Sequence, residues 1–232
     1  MIATEQVSSL SIGIVLFPNV TQLDFTGPYE VFAKLPNVQL YLLAETPEPI
    51  RSDCGLTFLP DTTFAQAPAL DVLFVPGGPG INAKMEDEKF LNFLKTQGKQ
   101  ARYVTAVCTG SLLLAGAGLL QGYRATTHWL SLDLLEILGV ETVAQRVVID
   151  RNRITGGGVT AGIDFGLALA AELFGEAIAQ EIQLKIEYNP QPPFNSGSPQ
   201  TAPAAVLARV TNASQNFQEI RRQIVQRVVT QL

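Results

Sequence analysis

The 232-residue chain is expected to fold as a single α/β domain, a mainly parallel sheet covered by helices on both faces and followed by a C-terminal helix. Two observations point there. Short apolar, β-branched runs, SIGIVLF at 11–17, VQLYLLA at 38–44, DVLFV at 71–75 and RYVTAV at 102–107, alternate with stretches of helical character, the order that builds βαβ units. These runs are apolar along most of their length instead of at every second residue, as expected for strands covered on both faces. With 47% hydrophobic and 16% charged residues, the chain can bury a large core.

The first run stops at Pro18, and Asp24 falls in the connection behind it. Thr26 and Pro28 suit the cap and first turn of a helix reaching Leu35, and the run at 38–44 completes a βαβ unit. Residues 51–63 read as a hairpin-like excursion. The strand at 71–75 is stopped by Pro76-Gly77-Gly78-Pro79-Gly80, and a helix is expected over 88–99. The run at 102–107 leads without a spacer into Cys108-Thr109-Gly110-Ser111 and the helical LLLAGAGLL. Beyond it come residues 125–129, a helix near 131–138, strands at 146–149 and 154–155, the glycines at 156–158, and helices at 160–174 and 176–187 broken at Gly175. Proline, glycine and serine dominate 189–203, expected as a connecting segment without regular structure between an α/β domain at 1–188 and a terminal helix at 204–232. On that helix Val206, Val210, Ala213, Phe217, Ile220 and Ile224 recur at spacings of four and three, a single apolar stripe for packing on the domain or on a dimer partner.

A net charge of −5 without any basic cluster speaks against nucleic acid as a partner. No apolar run reaches the roughly 18 residues of a membrane span, and MIATEQVSSL has neither a basic n-region nor an apolar h-region, so the cytoplasm is the expected compartment. Two cysteines are too few for a disulfide framework, and one histidine leaves no zinc-ligand spacing; neither metal nor cofactor is expected.

Cys108 is the leading candidate for chemistry. It stands at the carboxyl end of an expected strand, where open parallel sheets bind ligands. A thiol ahead of a helix meets free N–H groups and the positive dipole end, which favour the thiolate and lower its pKa. Gly110 is expected to allow a sharp turn, and Thr109 offers an N–H and a hydroxyl beside the sulfur. Asp24, in the apolar setting VTQLDFTGP, suits either helix capping or general acid–base work with a burial-raised pKa. Gly77 and Gly78 suit either a tight turn or, together with Thr109, an anion-stabilising and substrate-binding hole. His128 reads either as the base of a Cys–His dyad or as a packed side chain. Gly157 and Val159, in the glycine-rich turn, are expected to support the cysteine by close backbone packing, and Cys54 is expected to be incidental. The run Gly156-Gly157-Gly158-Val-Thr-Ala-Gly162 lacks the βαβ context of a dinucleotide fingerprint.

Together Asp24-Phe-Thr-Gly-Pro, the Pro-Gly-Gly turn at 76–78, Ala-Val-Cys-Thr-Gly-Ser at 106–111 and Ala-Thr-Thr-His-Trp at 125–129 resemble the ThiJ/PfpI superfamily. That resemblance implies a flavodoxin-like, class I glutamine amidotransferase-like fold. The segment TGGGVTAGIDF at 155–165 and the tail QLKIEYNPQPPFNSGSP at 183–199 resemble its isocyanide hydratase branch. The resemblance implies a homodimer acting on a small organic isocyanide, with Cys108 as nucleophile and Asp24 as acid–base group. Many superfamily members place a glutamate beside the cysteine where this chain offers Asp24, and Thr109 occupies the position of the histidine in protease-like members. A cysteine-dependent glyoxalase or deglycase, and a redox sensor without turnover, remain the alternatives.

Overall fold

The computed structural model describes residues 9–230; the reading of the first eight residues as lacking a targeting signal, and the last two positions of the terminal helix, lie outside them. The strands are β1 (Leu10–Val15), β2 (Val38–Ala44), β3 (Ile50–Arg51), β4 (Thr57–Phe58), β5 (Thr62–Thr63), β6 (Val72–Val75), β7 (Tyr103–Val107), β8 (Arg124–Ala125), β9 (Glu141–Thr142), β10 (Val147–Asp150) and β11 (Arg153–Gly156). The helices are α1 (Gln22–Phe32), α2 (Ile81–Lys84), α3 (Glu88–Gln100), α4 (Gly110–Gly116), α5 (Leu132–Ile137), α6 (Ala161–Phe174), α7 (Glu176–Lys185) and α8 (Ala204–Val229). Seven strands form the central sheet in the order β10-β11-β7-β6-β1-β2-β5, parallel throughout except for the β10–β11 hairpin. β3 and β4 make the excursion expected at 51–63, while β5 returns to the sheet edge beside β2.

The central strands are apolar because both faces are covered. All four residues of β6 are buried, as are Ile12, Ile14 and Val15 of β1 and Val104, Ala106 and Val107 of β7. α1 packs on α6, which crosses β11 and β7; α3 and α4 pack on β6, and α8 lies on α4 and α5. The buried hydroxyl of Thr105 is satisfied by the carbonyl of Leu73 on the neighbouring strand, at 3.0 Å. Strand order reverses between β2-β1 and β6-β7-β11, which makes the carboxyl ends of β1 and β6 the switch point where such sheets hold their ligands.

Two local expectations are corrected. α1 begins at Gln22, so Asp24 lies in its first turn and Pro28 inside it, not at its start. Pro28 gives up one intrahelical bond, a loss set against the burial of its ring on α6, where Gly162 leaves room for it. The apolar stripe of α8 is also rotated from its expected phase. The buried positions are Arg221, Ile224, Val225 and Val228, whereas Val210 and Ile220 remain 44% and 46% exposed. Only the C-terminal half of α8 lies against the domain core, so the side chains nearer its start do not follow the stripe. Among the described residues no helix is long and apolar enough to cross a membrane.

Candidate active site

Three adjacent strand ends meet at the switch point. α1 leaves β1 and carries Asp24, β6 ends in Pro76-Gly77-Gly78, and β7 ends at Cys108. Cys108 has φ 56°, in the left-handed region that a residue with a Cβ rarely adopts, so the turn depends on surrounding bonds. Its N–H donates to the carbonyls of Gly156 and Gly157 at 3.0 and 2.9 Å. Its carbonyl accepts the hydroxyls of Ser111 at 3.0 Å and Thr127 at 2.9 Å. With every backbone polar group tied down, the sulfur is fixed toward the cavity.

The turn is sharp at Cys108 itself; Gly110, expected to supply it, serves a different need. A Cβ on Gly110 would collide with the carbonyls of Val75 and Pro76, so glycine there lets α4 start against the end of β6. Gly77 meets a similar limit, since a Cβ would stand 2.7 Å from Thr109 Oγ1 and 2.9 Å from Asp24 Oδ2.

Asp24 is fully buried. Its Oδ2 accepts the Gly77 N–H at 3.0 Å, and its Oδ1 is buried without a hydrogen-bond partner among the described residues. Desolvation pushes the carboxyl up to about 7; the Cys108 thiol and the Gly77 N–H pull it partly back, and the Asp53 charge adds a further push. Burial likewise pushes the Cys108 thiol up, and the nearby Asp24 charge adds to it, against the Val159 and Thr109 N–H groups, which favour the thiolate. The expected lowering of the thiol is therefore reversed: the helix end and N–H donors are present, but desolvation and a neighbouring carboxylate outweigh them. Carboxyl and thiol form one coupled pair that holds a single proton between them over a wide pH range.

Gly77 and Gly78 take different roles from the expected anion hole. The Gly77 N–H is directed at Asp24 and the Gly78 N–H at Thr109 Oγ1, 3.0 Å away, so both are occupied. The donors aimed at the sulfur belong to Thr109 and Val159. Gly157 supports the cysteine through its carbonyl, and Val159 is held at φ 23°. His128 borders the same cavity, with Nδ1 accepting the Leu130 N–H at 3.3 Å, and burial lowers its pKa, so it is neutral at pH 7. Cys54 is exposed and does not line the cavity over Cys108, and its sulfur stands 3.4 Å from Ser52 Oγ. Among the described residues no cluster of three or more His, Cys, Asp or Glu side chains could hold a metal ion.

The cavity over the sulfur measures about 360 Å³. One side is formed by Cys108, His128 and Val159, and the other by Phe217, Gln218 and Arg221 of α8. The sequence reading missed this wall, and it also missed Ser111 and Thr127. The available signal for the wall was an arginine at core-facing spacing, four residues after Phe217 and three before Ile224.

Comparison with known proteins agrees with this architecture. The model of the DJ-1/PfpI family matches residues 10–172. An isonitrile hydratase from Pseudomonas putida is 54% identical over 224 residues, covering 97% of this chain and 98% of that protein. The HTH-type transcriptional regulator GbdR of Pseudomonas aeruginosa is 34% identical over 180 residues, 74% of this chain but 49% of the regulator. The crystal structure of a ThiJ/PfpI family protein from Pseudomonas syringae superposes with a TM-score of 0.92 at 43% identity, covering 94% of this chain and 91% of that one.

Proposed function

The chain belongs to the DJ-1/PfpI family, and we propose that within it the protein hydrates organic isocyanides, R–N≡C, to N-substituted formamides. The observation that carries this reading is the Asp24–Cys108 pair: a nucleophile that lines a small cavity and a fully buried acid, which share one proton and are desolvated together. The likeness to a hydratase along nearly the whole length supports the substrate class.

The shared proton rests on the sulfur, the weaker acid of the two, and passes to Asp24 ahead of attack, leaving Asp24 as the acid and Cys108 as a thiolate that the Thr109 and Val159 N–H groups favour. The sulfur attacks the terminal carbon of R–N≡C and forms the C–S bond, while Asp24 gives its proton to that carbon; the product is the thioimidate Cys–S–CH=N–R. Asp24, now a carboxylate, removes a proton from water as its oxygen adds to the same carbon. Asp24 returns that proton to the nitrogen and takes up the hydroxyl proton as the C–S bond breaks, so R–NH–CHO leaves with the thiolate and the protonated carboxyl restored. Gly77 keeps the carboxyl in place through its N–H, and Gly78 orients Thr109.

The test is turnover by purified protein of an aryl isocyanide, with formamide measured by mass spectrometry and methylglyoxal as a parallel substrate. Formamide release with Cys108 trapped as a thioimidate is the expected result. Lactate from methylglyoxal without formamide would replace the reading with a glyoxalase, and stoichiometric sulfur oxidation without turnover of either would replace it with a redox sensor. The same reading includes a cytoplasmic homodimer. Exposed Val210 and Ile220 on α8 support an interface there. Light scattering at micromolar concentration tests it, and a mass near the 25.0 kDa of one chain would refute it.

A further inference from the structure

Three arginines lie within two turns of α8, and two have ordinary surface partners: Arg222 pairs with Asp133, and Arg227 with Glu86 at 2.7 Å. Arg221 differs. It is 3% exposed and stands in the wall of the cavity that contains Cys108. Its Nε donates to Asn82 Oδ1 at 2.8 Å and its Nη1 to Ser131 Oγ at 3.2 Å, while the guanidinium packs over the Phe217 ring at 4.7 Å. All three neighbours are neutral. Burial pushes the guanidinium down to about 10, so it keeps its charge at pH 7.

A buried cation without a counter-ion is expensive, and an apolar side chain of similar size would hold α8 at least as well. The position shares its buried face with Ile224, Val225 and Val228, where a leucine or methionine would be the ordinary occupant. The other ionisable groups around the cavity are engaged elsewhere. Asp53 accepts the Thr21 hydroxyl at 2.7 Å, Asp24 lies beneath the sulfur on the Gly77 N–H, and His128 is neutral. Cys108 lines the same cavity as Arg221, and its sulfur becomes negative when the thiol ionises.

We propose that Arg221 is the counter-charge of the Cys108 thiolate: a positioning residue on the C-terminal helix that favours the ionised sulfur from the opposite wall of the cavity. α8 is then part of the active site, and its docking through Asn82 and Ser131 sets the strength of the nucleophile. The proposal rests on Cys108 being the nucleophile, but its readout uses no isocyanide.

The experiment is the pH dependence of Cys108 alkylation by iodoacetamide, followed by mass spectrometry in a Cys54→Ser chain, and repeated with Asp24→Asn so that the thiol titrates alone. Arg221→Gln and Arg221→Met are expected to raise the alkylation midpoint by about one pH unit, a roughly tenfold slower reaction below it, whereas Arg221→Lys keeps the midpoint near native. A folded Arg221→Met chain with the native midpoint would overturn the proposal, as would a lysine variant that shifts as far as the methionine one. An Arg221→Met chain that fails to fold would also overturn it, because the reasoning requires methionine to hold α8. A shifted alkylation profile in a protein that hydrates no isocyanide would overturn the proposed activity alone, and hydration with an unshifted profile the role of Arg221 alone.

Discussion

Asp24→Asn keeps the shape of the side chain and removes its titration, so it tests stability and chemistry together. Folding raises the carboxyl from 3.8 to about 7. Below pH 4 the group is protonated in both folded and unfolded chains and has no effect on their balance. Between pH 4 and 7 the unfolded chain ionises while the native one resists, so stability falls with rising pH by about 1.4 kcal/mol per pH unit, roughly 4 kcal/mol in all. Above pH 7 both are ionised and the loss is complete. The variant lacks this loss, so its advantage over the native chain should grow from near zero at pH 4 to several kcal/mol at pH 7.5. Urea denaturation of both chains across that range measures it, because contributions from titrating groups not coupled to Asp24 cancel in the difference. The same variant should lose at least about 100-fold in turnover. A stability difference independent of pH would refute the reasoning, since it would mean that Asp24 titrates alike folded and unfolded.

Cys108→Ser should abolish turnover with the fold intact, while Cys54→Ser, at an exposed site, should leave kcat/KM within twofold of native; a comparable loss in both would reverse the assignment of the nucleophile. The Asp24 value places the rising limb of kcat/KM near pH 7: below it carboxyl and thiol are both protonated and no thiolate forms, above it one proton remains to be shared, and a flat profile from pH 5 to 8 would contradict the coupled pair. Gly77→Ala should destabilise by about 1–3 kcal/mol and lower kcat/KM at least tenfold, because its methyl must displace Thr109 or the Asp24 carboxylate; native kinetics would show that the turn can yield.

Local pattern was enough to read much of this protein. The apolar runs at 71–75 and 102–107 mark β6 and β7 to within a residue, because a strand covered on both faces has little freedom in composition, and the run at 38–44 coincides with β2 although that strand is only partly buried. The absence of a spacer between β7 and α4 places Cys108 at a strand end from sequence alone. What the sequence could not determine depended on neighbours distant in the chain. Pro28 sits inside α1 with its ring against Gly162 of α6, a contact between distant segments, whereas the turn residues alone suggested a later beginning. The direction of the thiol's pKa depends on Asp24, 84 positions away, which short-range reasoning about a helix N-terminus leaves out. Arg221 drew no reading from the sequence, because its place in the cavity wall exists only once α8 has folded over Cys108. Hydrophobic periodicity reports which side of an element avoids water, whereas pKa values, cavity walls and counter-charges are set by low-dielectric contacts that exist only once distant segments have packed together.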